Sequence, residues 1–285
     1  MRLTRVTFLR TALSVVMAAV ALCSGAQVIV NERSEKVDPD SIREEFDKTP
    51  SFGLYKDNYF IFGPPLGKKA TKENTNARIQ VSIRQRLTKS TLPWNTYLYL
   101  FYTQQMQWNI LEKSLPMTDI VFNPGLGLAK PIFKHNKYIG KATFGIEHES
   151  NGRDSIQSRS WNRIFLAGDI MLTRNLLIHG KIWIPIVDGE NNRDILYYDG
   201  IFTVGFQFLS NNRRWRGAII LDKRKTWRMS FNTIIEGSWQ FSRRADWCLF
   251  AQYYNGYGED LLNYKEYTSS IRFGIVFRPK YFSDY

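Results

Sequence analysis

The sequence predicts an all-β fold, a twelve-stranded antiparallel transmembrane β-barrel of a bacterial outer membrane. Three observations favour it. The 285-residue chain starts with an export-type segment, its later segments alternate apolar and polar residues, and 15% of it is aromatic although its mean hydropathy is −0.33. A barrel combines these features because its outer face is apolar and its lumen is polar. A soluble β-sandwich is the alternative fold.

The amino-terminal segment has the pattern of a secretory signal peptide. Three arginines precede an apolar run over residues 11–22, and Ser24-Gly25-Ala26 supplies a small-x-small cleavage site. The run is shorter than the ~20 residues of a spanning helix. Cleavage there leaves Cys248 as the one cysteine, which excludes an internal disulfide. The predicted organisation is a signal peptide (1–26), a polar lead-in (27–56) and a barrel domain (57–285).

Alternation with a period of two marks the strands. Between Ala77 and Arg86 every second residue is apolar until Ile83, and the residues between are Arg, Gln or Ser. Successive side chains of a strand point to opposite faces, so this pattern predicts one lipid face and one lumenal face. The predicted strands are 57–66, 77–88, 94–108, 119–133, 138–149, 160–172, 175–187, 196–209, 214–223, 226–241, 246–256 and 268–279.

The connections and the charge agree with this prediction. Even-numbered strands are followed by short connections and odd-numbered strands by longer ones, except the ninth. Because short turns are typical of the periplasmic side, this alternation places the amino end of the barrel on that side. The net charge of +13 is a feature of nucleic-acid-binding proteins. Here the cations occupy alternate strand positions and turns, so we assign them to the lumen and rim and expect no nucleic acid partner. Four tryptophans near strand ends predict an interfacial girdle: Trp94, Trp108, Trp161 and Trp247.

One stretch, HESNGRDSIQSRSWNR over residues 148–163, places polar residues on the predicted lipid face. His148 and Ser150 continue the apolar parity of the fifth strand, and Asn162 that of the sixth. A Ser needs a base to take its proton, and an Asn carbonyl can orient the imidazole, so the three residue types suit nucleophilic catalysis. A polar loop edge at the headgroup level is the alternative. Glu147 and Glu149, on the other parity, are predicted to be lumenal rim residues.

This stretch resembles the active-site segment of the bacterial outer membrane phospholipase A family. Residues 148–153 and 158–163 carry the resemblance, and Asn255-Gly256-Tyr257-Gly258-Glu259 resembles that family's GYGE loop. Tyr102-Thr103-Gln104 with Ser114-x-Pro116 is a weaker match. The resemblance extends from about Tyr59 to Phe277 and implies a twelve-stranded barrel enzyme that hydrolyses the acyl esters of glycerophospholipids.

The resemblance also implies a set of site residues. Ser150 would be the nucleophile, His148 the base and Asn162 the orienting residue, with the Gly152 N–H in the oxyanion hole. It implies a calcium ion held by Arg153 and Ser158 together with Ser114 of the partner subunit, in a homodimer whose active site faces the extracellular leaflet. Two alternatives remain open: a passive, porin-like narrow barrel, and an acyltransferase with the same serine chemistry.

Overall fold

The computed structural model describes the chain from residue 44 onward, with gaps. The described residues are 44, 47–89, 92–134, 137–187, 191–242 and 244–278. The predicted signal peptide, most of the predicted lead-in and His135 lie outside them. No helix in this part of the chain is long and apolar enough to cross a membrane.

Thirteen β-strands form a single antiparallel sheet in the described residues. They are β1 (Phe52–Leu54), β2 (Asn58–Gly63), β3 (Asn76–Arg86), β4 (Tyr97–Trp108), β5 (Met117–Lys134), β6 (Lys137–Ser150), β7 (Ser160–Met171), β8 (Leu176–Val187), β9 (Phe202–Leu209), β10 (Trp215–Lys223), β11 (Phe231–Trp239), β12 (Cys248–Gly256) and β13 (Thr268–Phe277). Short 3-10 turns lie in three of the connections.

The sheet closes into a barrel. Each strand from β2 to β13 pairs with its neighbour in the chain, and β13 pairs back with β2. β1 lies along the same edge of β3 as β2, since Phe52 pairs with Gln85 and Tyr59 with Gln80. The two segments therefore form one interrupted strand, and the wall has the twelve strands predicted from the sequence. Within the part of the chain that the structure describes, closure leaves no unpaired sheet edge, which a membrane requires.

The two faces of the wall follow the predicted alternation. On β8, Ile182, Ile184 and Ile186 are more than half exposed on the outside, whereas His179 and Lys181 are buried in the lumen. The lumen is filled by paired polar groups from distant parts of the chain. Arg272, for example, donates to Asn76 Oδ1 and pairs with Glu259. Such pairing allows charged groups to be buried at low cost.

Most strand bounds differ from the prediction by one to three residues, and three segment boundaries differ more. The predicted lead-in ends earlier, because Phe52–Leu54 already belongs to the wall. The predicted strand 196–209 starts only at Phe202, because Ile195–Tyr197 forms a 3-10 turn. β11 starts at Phe231 instead of 226. The connection 224–230 is therefore long, like the others at its end of the barrel, which removes the exception noted in the sequence.

One girdle prediction is wrong. Trp161 is 1% exposed and packs in an apolar cluster with Ile195, Leu196, Leu261 and Tyr264, inside one end of the barrel. Its parity on β7 is opposite to that of the lipid-facing Asn162, so it points to the lumen.

We call the end of the barrel that contains Trp161 the site end. It carries the connections 64–75, 109–116, 151–159, 188–201, 224–230 and 257–267.

Candidate active site

Two of the predicted catalytic residues are in direct contact. His148 on β6 and Asn162 on β7 are paired across the two strands, and His148 Nδ1 lies 2.9 Å from Asn162 Oδ1. The contact lies on the lipid side, on the face of the wall that also carries exposed Ile146 and Leu166. Because the amide oxygen accepts, Nδ1 carries the proton in this pair. Nε2 is then left as the acceptor that a general base needs.

Ser150 lies two residues beyond His148, on the same face of β6, and ends that strand. It is paired with Ser160 of β7 and Phe122 of β5. Within the described residues its hydroxyl makes no hydrogen bond, to His148 or to any other group. A nucleophile–base hydrogen bond is often looser without substrate, so the spacing is compatible with catalysis.

A buried ion cluster lies directly behind this pair. Arg163, the residue after Asn162, pairs with both carboxylates that flank His148: its Nε is 2.7 Å from Glu147 Oε1, and Nη2 contacts Glu149. Lys181 Nζ lies 2.8 Å from Glu147 on the other side. The cluster therefore links β6, β7 and β8 and fixes the strands on which His148 and Asn162 stand. Their strand parity predicts two lumenal rim glutamates and gives no sign of this partner.

The cluster extends to the loop before β9 through Asp199. Arg163 Nη1 is 3.8 Å from Asp199 Oδ2. Burial and the nearby Glu149 raise the pKa of Asp199 to about 8, which makes this carboxyl easier to protonate than an ordinary aspartate. Glu147 and Glu149 stand against Arg163 and Lys181, two carboxylates against two cations. This balance makes the cluster tolerable in the lumen.

We expect the substitution Arg163→Met to destabilise the barrel by about 3–5 kcal/mol, because it leaves Glu149 without its partner and Glu147 with Lys181 alone. The matched control is Lys265→Met, which removes the solvent-exposed Lys265–Asp194 pair and is expected to cost less than about 1 kcal/mol. Denaturant unfolding of both refolded variants in micelles measures the difference. Equal losses would mean that the cluster does not support the wall.

Asn151 organises the loop that follows Ser150. It is 4% exposed. Its Oδ1 accepts from the N–H of Arg159 at 3.0 Å and of Arg153 at 3.3 Å, and its Nδ2 donates to Gln157 O at 2.8 Å. One side chain thus holds both ends of the loop 151–159. Asn151 lies within the sequence motif, but nothing in the sequence indicates this role.

Gly152 has the conformation and the free donor that its expected role needs. Its φ is +65°, and a Cβ there would lie 2.9 Å from Phe122 Cε2. A side chain at this position would therefore be strained and would clash. Its N–H has no acceptor among the described residues. An unsatisfied backbone N–H close to Ser150 is a suitable donor for an oxyanion.

Arg153 and Ser158 present oxygen atoms that fit a calcium ion. The Arg153 guanidinium is occupied, since it donates to Thr118 O at 2.7 Å and Gln157 Oε1 at 2.8 Å. The Arg153 carbonyl and the Ser158 hydroxyl accept no hydrogen bond from the described residues. Neutral hard oxygens of this kind suit calcium. Among all the residues that the structure describes, no group of three or more His, Cys, Asp or Glu side chains forms a metal cluster.

The GYGE motif has a structural function in this fold. Glu259 is buried against Arg272 and Ser270 of β13. Asp119 Oδ2, on β5, accepts from the N–H groups of Leu261 and Leu262 at 2.8 and 3.0 Å. These bonds hold the connection 257–267 across the site end, so this motif closes the barrel mouth and does not contribute to the His148 pair.

Ser114, the remaining predicted site residue, and His179, which was not predicted to act in the site, lie apart from this pair. Ser114 is exposed in the connection 109–116, at the site end. His179 is buried in the lumen, and its Nδ1 lies 2.6 Å from Asp169 Oδ1. Asn192, which was not predicted, is fully buried and bonds both backbone groups of Ser160, thereby fixing the start of β7. Residues that act from a distant loop, like Asn192, carry no local signal.

A family model described as phospholipase A1 matches residues 53–277. The chain belongs to this family. It is 27% identical over 252 residues to the phospholipase A1 of Proteus vulgaris, a match that covers 82% of this chain and 83% of that protein. A relative from Neisseria meningitidis is 26% identical over 236 residues, which cover 77% of this chain and 60% of the relative's own length.

A solved structure shows the same fold. The calcium-bound dimer of outer membrane phospholipase from Salmonella typhi is 22% identical, covers 85% of this chain and 99% of its own, and has a TM-score of 0.70. The resemblance and the barrel predicted from the sequence are thus confirmed. The chain is a phospholipase on an outer-membrane-type β-barrel.

Proposed function

We propose that this phospholipase hydrolyses the acyl esters of glycerophospholipids, at sn-1, sn-2 or both, with Ser150, His148 and Asn162 on the lipid-facing wall. The contact between His148 and Asn162 carries the proposal. An imidazole held by an amide on the outer surface of a membrane barrel contributes nothing to the packing of the lumen. Its position instead meets the ester groups of lipids beside the wall.

The reaction follows from the placement of these groups. Ser150 Oγ attacks the ester carbonyl while His148 Nε2 takes its proton, and Asn162 holds the resulting imidazolium. The Gly152 N–H donates to the oxyanion. Collapse of the tetrahedral intermediate expels the lysophospholipid alkoxide, which takes the proton from His148. Water, activated in turn by His148, then cleaves the acyl-serine ester and releases the fatty acid.

A calcium ion would be held by the Arg153 carbonyl and the Ser158 hydroxyl, with Ser114 of the partner subunit in a homodimer. When bound, it supplies positive charge close to the developing oxyanion. The Salmonella typhi protein was crystallised as a dimer with calcium, which supports both the ion and the dimer for this chain. The Arg153 side chain contributes by fixing the loop from which its carbonyl points.

Removal of calcium tests this proposal. With refolded protein in mixed micelles of phospholipid and detergent, we expect a chelator to lower fatty-acid release by about 10²–10³, because an oxyanion contact is lost. Calcium should restore the rate. Magnesium should not, since it requires a near-octahedral site. An unchanged rate in chelator, from protein shown to be folded, would contradict the proposed calcium site.

A further inference from the structure

A second feature of the site end is the connection between β10 and β11, residues 224–230, which we call the basic loop. It contains three cations, Arg224, Lys225 and Arg228, directly after Lys223. No carboxylate pairs with these three cations within the part of the chain that the structure describes. The basic loop thus carries a concentrated positive charge that the protein itself does not neutralise.

Large apolar side chains stand beside these cations. Trp227 is fully exposed, and Met229 is 81% exposed. Large apolar groups fully in water are unusual unless another phase or partner covers them. Tryptophan and basic residues together are typical of the interface between lipid headgroups and hydrocarbon.

The basic loop has a defined shape. Lys223 Nζ donates to the carbonyls of Arg224 at 2.7 Å and Thr226 at 2.8 Å, and the Thr226 hydroxyl donates to Arg228 O. The Lys225 N–H bonds Leu196 O in the neighbouring connection. Its exposed side chains are therefore presented on a fixed frame, and Lys225 and Arg228 keep their charged ends free of hydrogen bonds within the described residues.

We propose that the basic loop binds the phosphate headgroup of a lipid in the leaflet at the site end. Lys225 and Arg228 pair with the phosphate, while Trp227 and Met229 enter the headgroup–acyl boundary. The exposed apolar pair favours a lipid over free phosphate, which would leave both side chains in water. The proposal rests on the barrel fold and is independent of the catalytic assignment.

Native mass spectrometry with an ether-linked dialkyl phosphatidic acid tests this binding, because the ether bonds resist the enzyme. Lipid is titrated against refolded barrel in a nonionic detergent. We expect K225Q/R228Q to weaken binding about 30-fold and salt to weaken it further. The matched control is R174Q/R213Q, which removes the same charge from exposed turns at the other end and should bind as wild type does. Trp227→Ala should weaken the lipid complex without losing selectivity for phosphate.

Several outcomes would overturn the proposal. They are equal binding of an ether-linked dialkylglycerol, which has no phosphate, equal weakening in the control pair, or no binding at all. Inorganic phosphate that binds as tightly as the lipid would assign the basic loop to a free anion. If, in the absence of lipid, the dimer dissociated in K225Q/R228Q but not in the wild type, the basic loop would be assigned to a contact between copies of the chain. For each variant, migration in electrophoresis that is slower after boiling than before it shows that the unboiled barrel was folded.

Discussion

Ser150→Ala is expected to lower fatty-acid release by about 10⁴-fold or more, because the attacking oxygen is removed and the remaining groups act without a nucleophile. Stability should not change, since the Ser150 hydroxyl makes no hydrogen bond in the described structure. The assay is the mixed-micelle assay with saturating calcium. Full activity in Ser150→Ala would mean that the nucleophile lies elsewhere, whereas no calcium-dependent release even by the wild type would favour the passive barrel.

Ser160→Ala is the matched control for this prediction. Ser160 is paired with Ser150 across the strands, at the same end of the wall, and its backbone groups are held by Asn192. Ser160→Ala removes the same chemical group, a serine hydroxyl, one strand away from Ser150, and we expect this variant to keep nearly full activity. A sulfonyl fluoride should label Ser150 in wild type and much more slowly in His148→Ala, which separates nucleophile activation from lipid binding.

Asn162→Ala is expected to lower kcat by about 10³-fold while KM changes little. The contact of His148 Nδ1 with Asn162 Oδ1 fixes the imidazole tautomer, and a misoriented base costs orders of magnitude in serine hydrolases. Because Asn162 is exposed, the loss of its side chain should leave the unfolding midpoint unchanged. Rates measured over a range of lipid mole fractions separate kcat from KM.

Asn162→Asp serves as the conservative variant. It keeps an oxygen acceptor for Nδ1, so it should recover more activity than Asn162→Ala. If kcat fell in both Asn162 variants while His148→Ala kept the wild-type rate, the assigned roles would be contradicted. If only the apparent KM rose, Asn162 would bind lipid and would not orient the base.

Much of the wall and the site was predictable from local sequence. Alternation placed Val81 outside and Ser82 inside, as the structure has them, because side chains alternate along every strand. The same parity placed His148 and Asn162 together on the lipid face. Trp161 was assigned to the girdle from its position near a strand end, although its parity predicts the lumen. In this case, parity was the better guide.

Other features had no local signal. The 3-10 turn Ile195–Tyr197 was predicted as strand because it is apolar, but it packs under the connections of the site end. Asn192 acts on Ser160 from a separate connection, and Lys181 on β8 reaches Glu147 on β6 past the intervening β7. The partners in each case are far apart in sequence, so no pattern within one segment reveals them.

By itself, then, the sequence determined the class of fold, the face of each strand and the residue types available for catalysis, because a period of two and a short motif are local properties. Only the tertiary structure decided that His148 is paired with Asn162, that Asn151 closes the loop beside Ser150 and that Arg163 joins both flanking glutamates. Those contacts depend on strand register and on barrel closure, and both are set by the whole chain at once.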